Sequence, residues 1–197
     1  MKLRALLLLV LASAFITCKP DKEETIENEG ATYDGTAFEL LYPNHFPAPT
    51  LPADNPLTIQ GVKLGQMIFH ETMLSGDNTQ SCADCHLQQF AFTDSARFSI
   101  GIAGLPGGRQ AMSVFNMAWN DQGFFWDGRA AQLRDQSLMP IQDPLEMNET
   151  LDNVISNLSS MDLYKDQFMR AFGSETITAH KMSLALEQFM LSIVSSD

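Results

Sequence analysis

Residues 81–92 read SCADCHLQQFAF, with Cys82 and Cys85 separated by two residues and His86 directly after the second cysteine. That spacing fits three chemistries: half of a zinc site, a redox dithiol, or two thioether anchors and an axial imidazole for a covalent haem. The sequence holds only one other cysteine, Cys18. A four-cysteine zinc site therefore cannot be assembled within one chain, and no histidine stands at finger-like spacing to complete a mixed one. A thioredoxin-like dithiol calls for a βαβ setting, and the rest of the chain does not read that way. The haem reading needs neither condition. Two cysteines this far apart can bond the two vinyl groups on one porphyrin edge, and the next histidine turns beneath the ring towards iron.

Such attachment takes place outside the cytoplasm, and the N-terminus agrees. Lys2 and Arg4 precede an apolar run from Ala5 to Ile16, too short to span a bilayer and suited to an export signal over residues 1–17. The run ends at Thr17-Cys18. A solitary cysteine there resembles the lipid acceptor of bacterial lipoproteins, so Cys18 is the expected lipid attachment point. The chain is expected in the periplasm or cell envelope, as an outer-membrane lipoprotein held by that anchor alone.

With 12 basic and 24 acidic residues the formal net charge is -12. Loss of residues 1–17 would remove Lys2 and Arg4 and no acid. Such a surface disfavours nucleic acid as a partner and suits basic ones. Residues 18–55 read as an acidic tether followed by a proline-bearing, extended lead-in, in which His45 is a loop residue. Residues 56–197 are long enough for one domain with a proper core.

The periodic segments within that domain are helical. VKLGQMIFHETML places Val62, Leu64, Met67, Ile68 and Met73 at three- and four-residue spacings. LDNVISNLSS and DLYKDQFMRAFG follow the same rule, the second ending at Gly173, a natural C-cap. TITAHKMSLALEQFMLSIVSS is the longest, with Ile177, Met182, Leu184, Phe189 and Ile193 available for a buried stripe. His70 and His180 read as surface or satisfied histidines on these helices. Most of the eleven methionines sit at helical core spacings, which assigns them to interior contacts. The fold class expected is all-α, a cytochrome c-like helical haem domain.

Longer motifs narrow the haem protein. LGQMIFHETMLSGDNTQSCADCH, AFTD, GGRQAMSVFNMAWN, FFWDGRAAQLRDQSLMPIQDPLEM and ALEQFMLSIVSSD follow one another from Leu64 to the last residue. In order and spacing they resemble the N-terminal, peroxidatic domain of the bacterial di-haem cytochrome c peroxidases, a family that includes a methylamine-utilisation maturation branch. The resemblance implies one covalent haem c per chain, on Cys82 and Cys85, with His86 as the axial iron ligand. It implies that Trp126 carries electrons between two haems and that Gln136 and Glu146 stand in the peroxide pocket, the glutamate as acid and base. A carboxylate there could carry the proton that peroxide loses from one oxygen and gains on the other. Arg129 could offset the charge of a haem propionate.

Three departures accompany the match. No histidine lies between His86 and His180, and Ile102 stands near the place of a distal histidine found in many members. Gln110 replaces an asparagine that contributes to the family's interdomain calcium site; its longer arm argues against calcium. The sequence ends where the family's crossover to its second haem domain begins, so the chain is expected to be a fragment. The expected function is reduction of hydrogen peroxide to water with electrons from a small donor such as a cytochrome c or a cupredoxin. The alternatives are a single-haem electron carrier and a protein-oxidising maturation enzyme of the same family. Met112 and Met147 are the rival ligands for the open face of the iron.

Overall fold

The computed structural model describes residues 30–196; residues 1–17, the expected export signal, and Cys18 lie outside that range. Seven α-helices occur among the described residues: α1 (Ile59–Phe69), α2 (Cys82–Cys85), α3 (Leu133–Ser137), α4 (Met139–Gln142), α5 (Leu151–Ser159), α6 (Asp162–Phe172) and α7 (Ala179–Ser192). Pairing between extended segments is confined to isolated bridges, so the described chain is all-α. No helix among the described residues is long and apolar enough to cross a membrane.

Local chemistry sets the helix ends. Thr58, Thr150 and Thr178 each accept a hydrogen bond from a backbone N–H of the first turn of α1, α5 and α7. Gly173 closes α6 in the left-handed region at φ 68°, as the sequence predicts. The first helix stops sooner than its periodicity suggests. His70 caps α1, and Glu71 opens a short 3₁₀ turn, Thr72–Leu74, by accepting from Met73 N at 3.0 Å.

The core forms where α1 and α6 meet and α1 lies along α7. Leu64, Ile68, Leu74, Ile141, Val154, Leu158, Phe168, Met182 and Leu186 have essentially no exposed surface. A pair of glycines one turn apart lets α1 approach α7 closely. A Cβ on Gly65 would come within 2.0 Å of the Ala185 carbonyl oxygen, and one on Gly61 within 2.1 Å of Gln188 Oε1. Gln167 of α6 binds the Gln60 carbonyl at 3.1 Å, and the Tyr164 hydroxyl donates to Glu71 at 2.6 Å.

A buried polar network fastens the lead-in and α3 to α7. Arg134 lies 2.8 Å from Glu187 and 2.7 Å from Asp54, with both members of the first pair almost wholly buried. Asn55 Nδ2 donates to Glu187 at 2.8 Å, Gln188 Nε2 donates to Asn55 at 2.7 Å, and Gln188 Oε1 accepts from Thr58 N at 2.9 Å. Every charge in the group thus has a hydrogen-bonded partner. Upstream, the lead-in runs extended over the same body. Asp34 N reaches the Arg170 carbonyl at 2.9 Å, and Tyr42 and Phe46 meet Trp119 edge-on, while the indole N–H of Trp119 donates to the Pro47 carbonyl at 2.7 Å.

Candidate functional site

The second helix is one turn long. Its N-terminus is set by the Asp84 carboxylate, which accepts both the Ser81 N–H and the Ser81 hydroxyl at 2.7 Å. The two cysteines bracket that turn, and both thiols are free. Burial pushes the Cys82 thiol up to about 12 and raises Cys85 as well. Both thiols are therefore protonated at neutral pH, the opposite of what a thiolate-based redox dithiol needs.

The turn ends as the His86 N–H bonds the Cys82 carbonyl at 3.0 Å. His86 Nδ1 then lies 3.0 Å from the Phe92 carbonyl oxygen. A carbonyl only accepts, so Nδ1 carries the proton and Nε2 keeps its lone pair. Burial, against smaller opposing contributions from that hydrogen bond, the Met112 backbone and Asp94, holds the imidazole below its ordinary pKa and so neutral. The Phe92 carbonyl is placed by an unusual backbone. Ala91 and Phe92 both have left-handed dihedrals, φ 58° and 55°, with no glycine to ease them. Hydrogen bonds between Leu87 and Thr93, from Val114 N to Phe92 O and from the Thr93 hydroxyl to Ala111 O hold that loop.

Cys82, Cys85 and His86 line a single cavity of about 380 Å³, walled by Phe69, Met117, Phe124, Leu133, Leu186 and Met190. Gln136, from α3, and Glu146 line the same space, as do Met112 and Met147. Burial, then the neighbouring Asp143, raise the Glu146 carboxyl, with Arg129 pulling the other way. Glu146 is fixed through its backbone, donating to Asp143 O and accepting from Ile102 N, each at 3.0 Å. Gly101 makes room for that contact, since a Cβ there would sit 2.1 Å from the Leu145 carbonyl oxygen. Ile100 and Gly101 line the cavity beside that contact.

Trp126, Arg129 and Gln110 stand at the mouth. Trp126 is 60% exposed and donates its indole N–H to the Gln110 carbonyl at 2.8 Å. The Arg129 guanidinium lies 3.5 Å from the centre of the Phe125 ring and 2.9 Å from Asp127. The Gln110 side-chain amide donates to Asp94 O at 3.1 Å. Among the described residues no group of three or more His, Cys, Asp and Glu side chains could hold a metal ion by itself. Sequence reasoning missed Arg109, Asp127 and the Phe92 carbonyl. All three stand inside quoted motifs, Arg109 in GGRQAMSVFNMAWN, Asp127 in FFWDGR and Phe92 in AFTD, but nothing local marks their roles.

The donor set suits a covalent haem: two free thiols one turn apart, a neutral imidazole with Nε2 available, and apolar walls. Two buried polar atoms in the lining, Gln80 Oε1 and Ser99 Oγ, also lack a protein partner.

Comparison with known proteins gives the same result. A family model described as "Di-haem cytochrome c peroxidase" matches residues 59–197. The chain is 38% identical over 147 residues to the methylamine utilization protein MauG of Methylorubrum extorquens, covering 74% of this chain and 41% of that protein. It is 34% identical over 152 residues to the cytochrome c peroxidase Ccp of Escherichia coli, covering 77% of this chain and 32% of that one. A crystal structure of a MauG-like protein associated with microbial copper homeostasis superposes with a TM-score of 0.74 at 31% identity, over 81% of this chain and 47% of the other. The chain thus spans less than half the length of these relatives. It belongs to the di-haem cytochrome c peroxidase family.

Proposed function

We propose that this chain is the peroxidatic haem domain of an exported cytochrome c peroxidase, reducing hydrogen peroxide to two waters with two protons and two electrons from a small donor protein. The observation that carries the reading is that Cys82, Cys85, His86 and Glu146 line one cavity. When bound, one c-type haem would supply the redox iron at which peroxide is reduced. Cys82 and Cys85 would anchor it, and His86 Nε2, freed by the Phe92 carbonyl, would be its axial donor.

Glu146 would take a proton from one peroxide oxygen and return it to the other as the O–O bond breaks. A raised carboxyl suits that task, because the group must both hold and release a proton near neutral pH. Among the described residues, no protein group donates to the Glu146 carboxylate, which leaves it available to peroxide. Gln136 would orient the peroxide through its amide, Arg129 would face a propionate, and Trp126 would pass electrons at the exposed mouth.

A second reading is oxidation of a partner protein, favoured by the similarity to the methylamine utilization protein MauG; Trp126 would then pass electrons from that substrate in place of a donor. A plain electron carrier would use Met112 or Met147 as a sixth ligand and resist carbon monoxide in the ferrous state. The open pocket of our reading binds it. Lipid attachment at Cys18, an outer-membrane location and the weak case for calcium at Gln110 complete the proposal.

Glu146→Gln tests the chemistry. Peroxide cleavage should slow by ~10²-fold or more while cyanide binding is retained. Full peroxide reactivity in that variant would remove Glu146 from the mechanism.

A further inference from the structure

The cavity mouth carries a charge arrangement of which the proposed function uses only Arg129. Arg109 lies 3.2 Å from one oxygen of Asp127, and Arg129 lies 2.9 Å from the other. One carboxylate between two guanidiniums leaves a net positive charge and most of ten N–H donors without a carboxylate partner. The two loops that carry these side chains are tied at adjacent points. Trp126 donates to the Gln110 carbonyl beside Arg109, and Arg129 is stacked on Phe125.

Side chains this exposed, 54% for Arg109 and 47% for Arg129, gain little stability from ion pairing alone. Folding therefore does not account for the arrangement. Nor does the general surface, since acids outnumber bases 24 to 12 in this chain. A local reversal of sign, built from two planar forks that share one carboxylate, matches a ligand with two carboxylates.

We infer that Arg109 and Arg129, spaced by Asp127, form a two-armed clamp for both propionates of a haem, an inference that rests on the haem reading above. Arg109 is the new member. Asp127 is a positioning residue, holding each cation at the mouth before the ligand arrives.

The test uses the full chain carrying Cys82→Ala and Cys85→Ala, so that haem binds without covalent attachment. Affinities for ferric haem and for its dimethyl ester are measured in that parent, in Arg109→Gln and in Arg129→Gln. The ester keeps the ring and loses both charges. The parent should prefer the free acid by ~10-fold or more, as charge-assisted hydrogen bonds require. Each arginine change should erase most of that preference while leaving ester affinity nearly unchanged. Arg109→Lys, which keeps the charge with a simpler donor, should retain part of it.

If Arg109→Gln weakens acid and ester equally, or neither, Arg109 is no part of a clamp. If the lysine variant behaves as the glutamine one, charge is not the cause and the inference fails. If the parent binds neither ligand, the haem reading itself is at fault. Arg109 is exposed and outside the core, so the variants should fold as the parent does.

Discussion

Two halves of the molecule are built on different principles. The frame of α1, α6 and α7 is regular, its apolar positions recur at helical spacing, and its central side chains are fully buried. The cavity side, from Leu87 to Arg129, has no helix beyond short 3₁₀ turns. It contains four non-glycine residues in the left-handed region, Ala91, Phe92, Asn116 and Phe125. Such residues cost on the order of 1–3 kcal/mol each and persist only when their surroundings dictate them. The contrast teaches a division of labour: the helices supply the free energy that holds loops in shapes their own residues do not favour.

That division can be broken from the frame. Glu187→Ala would leave Arg134 without its buried partner and should destabilise the fold by about 3–5 kcal/mol, read as a lower urea midpoint. A loss below about 1 kcal/mol would mean the polar network does not fasten α3 to α7. Gly65→Ala comes next, at about 1–3 kcal/mol, because the obstacle is the backbone carbonyl of Ala185, which cannot swing aside.

Changes on the cavity side should have smaller effects and the opposite sign. Ala91 is exposed, so Ala91→Gly loses no buried contact and relieves a left-handed residue. Stability should rise by up to ~1 kcal/mol, the steric relief exceeding the added chain entropy. A loss would show that Ala91 is not strained.

Glu146 sharpens the comparison through pH. Its carboxyl is raised by burial, so the folded state binds its proton more tightly than the unfolded chain does. Stability from this group is therefore greatest below the ordinary glutamate range and declines as pH rises towards the folded value. Glu146→Gln should flatten that decline and leave the protein slightly more stable at neutral pH. An unchanged slope would mean the carboxyl is better solvated than its position implies.

The two halves were not equally legible in the sequence. Helices α5 and α6 could be read from their spacing, and Gly173 as the terminator of α6, because both signals are local. Cys82, Cys85 and His86 were legible because their chemistry fixes the spacing. Glu146, Gln136 and Trp126 are ordinary residues by local pattern, and only the resemblance singled them out. Ala91 and Phe92 carry no mark of a left-handed turn, since neither residue type favours it. The Arg134–Glu187 pair spans 53 positions and the Gln110–Trp126 bond 16, distances over which no periodicity speaks.

The central claim is that the cavity beside α2 takes a covalent haem through Cys82 and Cys85. Expression of the full chain in a host that exports and matures c-type cytochromes, followed by mass spectrometry of the denatured protein, tests it directly. The account predicts a mass increase of one haem that survives acidified organic solvent and maps to the peptide containing Cys82 and Cys85. Replacement of both cysteines should abolish it. A chain that emerges without haem under those conditions, or with zinc bound in its place, would contradict the account.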